Sequence, residues 1–279
     1  MKAGIIPRLV ASDLGGTLVP PGKDAVPAAT LAVLDGIMAR GIPVAVVTGF
    51  NLYTARRMID GLSASPWFLV QNGTLAVKDN QIVWEHGLGI GEAEKLVRTL
   101  EGMEIPVVVY RNLSRDGIPE FRGFGDFSRG APFRAVDGFS DFSDISGVST
   151  QIPNQRVGET TAALRECISD QSRLVFSRGR SRTWIEVTPL NANKGQALAR
   201  LCVELAVEPE QVIFFGDNLN DLEVLNMVGF PRVVADGLPQ LRKHFPQVAA
   251  SSHQGPAREL VRIFGLEKPP GLKIRHGVP

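Results

Sequence analysis

The sequence predicts an α/β protein, a doubly wound parallel-sheet core with an α+β module inserted into it. Three observations lead there. Apolar runs at 9–11, 42–47 and 67–70 each stop in polar or glycine residues, and helix-periodic stretches separate them, which is the rhythm of parallel βαβ units. The same rhythm returns at 194–215. Between the two blocks, from about residue 74, short β-branched runs and turn residues replace it, the pattern of a separate unit. A chain of 279 residues is also near the size at which a single hydrophobic core stops growing. The expected division is 1–81 with 189–279 for the core, and 82–188 for the insert.

Taken in order, residues 9–11 form a strand buried on both faces, and Asp13 follows at its tip with Gly15, Gly16 and Thr17. Residues 19–26, rich in Pro, Gly and Lys, form a loop. Residues 27–40 carry Leu31, Leu34, Ile37 and Met38 at helical spacing and stop at Gly41, a suitable residue past a helix end. A second buried strand at 42–48 ends in Thr48 and Gly49. A helix at about 52–59 precedes the strand Trp67–Val70, which runs into Gln71, Asn72 and Gly73. Right-handed crossovers put all three strand tips on one edge of one sheet, where open α/β sheets bind ligands.

Where the pattern changes, 75–77 and 81–84 flank Lys78-Asp79-Asn80 as a hairpin. Residues 91–100 and 157–168 read as helices, and 106–110, 174–177 and 183–187 as strands. The stretch 114–147, dense in Gly, Phe, Asp and Arg, has no readable periodicity. After Pro189, 194–205 is an amphipathic helix and 211–215 a strongly apolar strand running into Gly216 and Asp217. A helix at 222–227, a strand at 232–235 and a last helix at 258–264 follow, with a tail from Lys268 expected to fray.

Composition removes several function classes. Thirty Lys and Arg against 29 Asp and Glu leave a net charge of +1, so no overall field draws nucleic acid or a membrane surface. No uncharged apolar run reaches the length of a membrane helix. Cys167 and Cys202 stand far apart and make no disulfide framework, which suits a reducing cytoplasm. The expected partner is a small molecule.

Its chemistry follows from the strand tips. Asp217 and Asp221 straddle a strand end and the next helical turn, a spacing that brings both carboxylates to one face. With Asp13 at the neighbouring tip, three acids converge. Like charges that close need a cation, and hard oxygen ligands suit Mg²⁺. Helix capping is the plainer role for Asp217 and Asp221, but the run Gly216-Asp-Asn-Leu-Asn-Asp221 is too acidic for a cap alone. Thr48 offers a hydroxyl beside the free N–H groups of a helix start, an anion cradle. Lys194 opens a helix and can set a compact positive charge on a phosphate. Nucleophile, metal, hydroxyl and cation are the parts of a phosphoryl-transfer site. Arg178 and Arg180, which alternate with Arg182 along a strand of the insert, either face an anionic substrate or form a solvated basic strand.

The order Asp13-Leu-Gly-Gly-Thr-Leu18, Thr48-Gly49, Lys194 and Gly216-Asp-xx-Asn-Asp221 resembles the haloacid dehalogenase superfamily of phosphatases. Asn72-Gly73 and the block from Glu186 to Lys194-Gly-xx-Leu198 look like its Cof-type branch, which includes sugar-phosphatase and mannosyl-3-phosphoglycerate-phosphatase-like members. The resemblance spans the whole chain. It implies that Asp13 is the nucleophile forming an aspartyl-phosphate, and that Thr48, Gly49, Asn72 and Lys194 hold the phosphoryl group with Asn220 orienting it. It also implies that Asp13, the carbonyl of Gly15, Asp217 and Asp221 hold Mg²⁺, the last through water, and that the insert is a cap over a sugar phosphate or phosphorylated sugar acid.

One position departs from that pattern. Members of the superfamily carry a second Asp two residues after the first, to protonate the leaving group and activate water, and this chain has Gly15 there. Such proton transfer is worth about 10²–10⁴ in rate, so turnover is expected to be slow; rescue by Gly15→Asp would show a site intact except for its proton carrier, and high wild-type activity would mean that another group supplies the proton. The rival expectation is a catalytically impaired relative that binds a phosphorylated metabolite as a sensor or partner protein.

Overall fold

The computed structural model describes residues 6–111, 119–123, 133–178 and 181–272, without the side chains of 177 and 178. It divides into two compact units, residues 1–50, 55–83 and 193–279 in one and 51–54 with 84–192 in the other. In chain order the elements are β1 (Leu9–Ser12), α1 (Ala28–Met38), β2 (Val44–Val47), α2 (Leu52–Met58), β3 (Trp67–Val70), β4 (Leu75–Lys78) and β5 (Gln81–Glu85). Next come α3 (Ile90–Gly102), β6 (Val107–Arg111), β7 (Glu120–Arg122), β8 (Arg134–Ala135), β9 (Ile145–Pro153), α4 (Val157–Arg165), β10 (Ser172–Arg178) and β11 (Arg182–Pro189). The chain continues through α5 (Lys194–Glu204), β12 (Val212–Gly216), α6 (Leu222–Met227), β13 (Phe230–Val234), α7 (Pro239–His244), β14 (Gln247–Val248) and α8 (Gly255–Phe264).

The first sheet has the order β14-β13-β12-β1-β2-β3-β4-β5. Its strands from β14 to β3 pair in parallel, and β4 turns back antiparallel on β3. β1 lies centrally between β2 and β12, so Val10 aligns with both Val44 and Ile213. Leu9, Ala45, Val46, Leu69, Ile213, Phe214 and Phe215 are fully buried, as strands covered on both faces require. This sandwiching fixes the register of β1 and β12, and so sets Ser12, the last residue of β1, opposite Phe215, one residue before the end of β12. Their continuations, Asp13 and Asp217, emerge at the same edge. The β4–β5 hairpin turns at Asp79 and Asn80, both at positive φ, the conformation that two-residue hairpins need and that these side chains tolerate.

The second sheet has the order β10-β11-β9-β6-β7-β8. Leu96, Val97 and Leu100 of α3 pack with Val107, Val109, Val148, Ile152, Ile185 and Leu164 in one apolar cluster. Its longest strand, β9, begins inside the stretch that has no readable periodicity. Ser146, Ser149 and Thr150 are buried there among apolar residues, which erases the alternation that marks a half-exposed strand. The Ser146 hydroxyl donates to the Tyr110 carbonyl at 3.1 Å and the Ser149 hydroxyl to the Tyr110 hydroxyl at 3.4 Å, while the buried Thr150 hydroxyl has no hydrogen-bond partner.

Elsewhere the elements expected from the sequence form with shifted ends. The helix expected to reach residue 168 stops at Arg165, and the last helix begins at Gly255, where Pro256 takes the first turn without losing a needed donor. The short elements α7 and β14 carry too little periodicity to be read in advance. Leu272, in the tail expected to fray, is buried. Among the described residues no helix is long and apolar enough to cross a membrane.

Candidate active site

Four elements of the first unit deliver the site. Asp13 follows β1 directly, its amide held by the Phe215 carbonyl of β12 at 2.9 Å. The carboxylate is buried, and Oδ1 lies 3.1 Å from Lys194 Nζ. Lys194 is the first residue of α5, whose Asn193 cap accepts from the Gln196 amide at 2.7 Å. That cap stops the helix from starting elsewhere and aims the lysine at the sheet edge. The ammonium is 1% exposed and also donates to Asp221 Oδ1 at 2.7 Å. Burial alone would discharge Lys194, but the two adjoining carboxylates outweigh it and hold the ammonium charged, above its ordinary range.

Asp221 is saturated on its other oxygen. Oδ2 accepts from the amides of Asp217 at 2.9 Å and Asn218 at 3.1 Å, closing the turn that links β12 to α6. Asp217 in turn accepts from the Thr17 hydroxyl at 2.9 Å. Gly16, at φ +81°, lets the chain pass beneath it, since a Cβ there would lie 2.5 Å from Asp217 Oδ2. At the β3 tip, Gln71 and Asn72 both take left-handed backbone (φ 52° and 55°), a strained pair of the kind that collects at functional sites. Asn72 accepts from Asn220 Nδ2 at 3.3 Å, and its amide donates to the Thr48 carbonyl at 3.0 Å.

Carboxylate oxygens of Asp13, Asp217 and Asp221 lie within 4.8 Å of one another. Burial pushes Asp13 up to about 6 against the pull of Lys194, with Asp221 adding to the rise. Burial, then the charges of Asp13 and Asp221, push Asp217 up to about 7. Three carboxylates facing one ammonium leave an excess of negative charge that a divalent cation would offset, and every donor is a hard oxygen. Asp221 has both oxygens engaged, so Asp13 and Asp217 are the acids with room for direct coordination. The donor set fits Mg²⁺.

A family profile described as haloacid dehalogenase-like hydrolase matches residues 10–258. The chain belongs to that family. Among curated relatives of this hydrolase, an HMP-PP phosphatase of Serratia proteamaculans is 28% identical over 255 residues, covering 88% of this chain and 90% of the relative. One from Citrobacter koseri is 24% identical with the same coverage. Among solved structures, a haloacid dehalogenase-like hydrolase from Bacteroides thetaiotaomicron superposes with a TM-score of 0.81 at 17% identity, covering 92% of this chain and 99% of the other. A sugar phosphatase of haloacid dehalogenase subclass IIB gives a TM-score of 0.70 at 14% identity, covering 92% and 98%. These structural likenesses bear on the fold.

Against the sequence reading, the hydrolase brings Asp13, Lys194, Asp217 and Asp221 into one cluster and Asn220 onto Asn72. Thr48 is buried at the β2 tip, where its hydroxyl accepts from the Phe50 amide at 3.3 Å, and a Cβ on Gly49 would lie 3.2 Å from Asn72 Oδ1. The anion cradle is narrower than expected, because at the start of α2 the Thr54 amide is already taken by Asn51 Oδ1 at 2.9 Å. Arg178 belongs to β10 by its backbone, while Arg180 lies outside the described residues. Arg182, exposed on the paired strand, donates to the Gln151 carbonyl at 3.0 Å.

Two residues escaped the sequence reading. Thr17 orients Asp217, and its place in the Gly-Gly-Thr turn was the available signal. Phe50 had none. A Cβ on Gly15 would lie 3.0 Å and 3.1 Å from Cε2 and Cζ of the Phe50 ring. A side chain at position 15 would therefore press on the far end of that ring, which has to give by a few tenths of an ångström to admit it.

Proposed function

We propose that this hydrolase is a Mg²⁺-dependent phosphatase of a small phosphorylated metabolite, a sugar phosphate or phosphorylated sugar acid, working in the cytoplasm through an aspartyl-phosphate on Asp13. The observation that carries the reading is the buried Lys194 bridging Asp13 and Asp221, with Asp217 alongside. The names of the relatives, HMP-PP phosphatase and sugar phosphatase, support a phosphorylated substrate.

Asp13 attacks phosphorus with a carboxylate oxygen; the bond to the leaving oxygen breaks, and its electron pair departs with that oxygen. Lys194 steers the Asp13 carboxylate and places positive charge beside the phosphoryl oxygens. Thr48, Gly49, Asn72 and Asn220 bind the remaining oxygens, and the second unit serves as the cap, with Arg178 and Arg180 candidates for the distal end of the substrate. Mg²⁺, held by Asp13, Asp217 and the Gly15 carbonyl with Asp221 acting through water, would neutralise charge on the transferring group. Gly15 supplies no proton, so turnover of ordinary esters is slowed by about 10²–10⁴.

Gly15 beneath Phe50 favours a second reading, a catalytically impaired protein that binds a phosphorylated metabolite. Acid quenching after mixing with Mg²⁺ and an acyl phosphate separates the two. The phosphatase shows one phosphoryl group on Asp13 by mass spectrometry, lost in Asp13→Asn. Saturable metabolite binding with neither intermediate nor turnover would establish the second reading instead.

A further inference from the structure

The turn that follows β13, residues 235–238, lies directly against the main chain of Asp217. A Cβ added to Gly237 would stand 3.0 Å from Asp217 Cα and 3.1 Å from its carbonyl oxygen, so the two backbones meet with no room between them. The Leu238 amide donates to that carbonyl at 2.8 Å. The Asp217 amide is already on Asp221 Oδ2, and its carboxylate on the Thr17 hydroxyl. Asp217 is therefore held at both backbone groups and at its side chain. Thr17 and Asp221 hold it from within the carboxylate cluster, and Leu238 holds it from a turn outside.

That turn is itself clasped. Asp236 is exposed, yet it spends both carboxylate oxygens on one residue, Ser251. Oδ1 accepts from the Ser251 amide at 2.8 Å, and Oδ2 from its hydroxyl at 2.7 Å. Ser251 is 1% exposed and opens the short helical turn before α8, so it is a fixed anchor. Two charge-assisted bonds to one residue set direction as well as distance. Arg242 adds a bond to the Ala235 carbonyl at 3.0 Å, at the start of the turn.

We propose that Asp236 is a positioning residue for Asp217. By clasping Ser251 it fixes the 235–238 turn, and through the Leu238 amide the turn sets the main chain from which the Asp217 carboxylate reaches the metal. This role presupposes the Mg²⁺ site proposed above. Asp13 and Asp221 carry the same charge as Asp217 and push its carboxylate away. An Asp217 main chain free to shift would yield to that push and take a metal ligand out of place.

Calorimetric titration with Mg²⁺ tests the role, with thermal unfolding in its absence as the check on folding. Asp236→Ala is expected to weaken Mg²⁺ binding about tenfold, the lower end of what losing an outer support costs a metal site. The Mg²⁺ concentration for half-maximal turnover of an aryl phosphate should rise to the same extent. Asp236→Asn keeps an acceptor for the Ser251 amide and gains a donor for its hydroxyl, so it should bind Mg²⁺ like the wild type. Leu238 already has φ −58°, the angle proline takes, so Leu238→Pro removes the N–H without moving the chain. It should reproduce the loss seen in Asp236→Ala, and Leu238→Ala, which keeps the N–H, should not. Unchanged Mg²⁺ affinity in a folded Asp236→Ala overturns the proposal, even if that variant melts earlier. An equal loss in Asp236→Asn also overturns it, because charge and not placement would then be at work. Should Asp236→Ala fail to fold, equal Mg²⁺ affinity in the two Leu238 variants overturns it instead. Failure of the Mg²⁺ reading itself looks different: Asp217→Asn would then leave the wild-type titration unchanged.

Discussion

The two units bury polar groups in different ways. In the first, charged side chains lie just beyond strand ends and engage one another, as Asp13, Lys194 and Asp221 do. In the second, the buried groups sit along the strands and are mostly neutral hydroxyls, Ser146, Ser149, Thr150, Thr183 and Thr188. Its buried carboxylate, Glu186, is pushed up to about 7 by burial against the pull of Arg173. The Tyr110 hydroxyl beside it, bonded to Ser149, is also pushed up by burial and by the Glu186 charge. A strand tip is open to a ligand, so charge there can do chemistry. In mid-sheet, charge has only its neighbours, and neutral hydroxyls cost less to enclose.

Breaking the charged cluster should have the largest effect. Lys194→Ala leaves Asp13 and Asp221 facing each other without a counter-charge, and a loss of about 3–5 kcal/mol is expected in urea unfolding. Added Mg²⁺ should recover part of it. If stability barely changes, the cluster is not the tightly coupled unit described above.

Glu186→Gln probes the second unit. A carboxyl raised from 4.5 to about 7 keeps its proton in the folded state where the unfolded chain has lost it. Its contribution is full below pH 4.5 and is lost as pH rises through 7. The variant should therefore stabilise the protein above pH 7, on the order of 1–3 kcal/mol, and change little at pH 4.5. Hydrogen exchange in β9 and β11 at both pH values reads this directly.

The metal sharpens the contrast. With Asp13 raised to about 6 and Asp217 to about 7 in the free site, protons compete with Mg²⁺. The rise in Tm on adding Mg²⁺ should be small at pH 5.5 and grow to pH 7.5, with protons released on binding. A Mg²⁺ effect independent of pH would mean that these carboxylates do not hold it.

The smallest effect is expected from Asn193→Ala, which removes the cap of α5. A loss of about 1 kcal/mol, with a fall in kcat exceeding any rise in KM, would show that the cap also positions Lys194.

Much of the first unit was legible because its strands are short, apolar and stopped abruptly, so the tips announce themselves. Asp13, Thr48, Asn72 and Asp217 stand at such boundaries, and Lys194 and Asp221 at the starts of helices. β9 was not legible, because a central strand with inward hydroxyls loses its alternation. The Arg178 and Arg180 reading rested on alternation alone, which says which residues share a face and nothing about what that face meets.

By itself the sequence determined the α/β rhythm, the inserted unit and the kinds of group that gather at one sheet edge. Periodicity and chain punctuation are local, and parallel crossovers have one hand. Only the tertiary structure decided that Lys194 bridges two carboxylates, that Asp221 spends both oxygens on the protein, and that Phe50 covers Gly15. Those outcomes depend on distances between segments far apart in the chain, which packing sets and residue order does not encode locally.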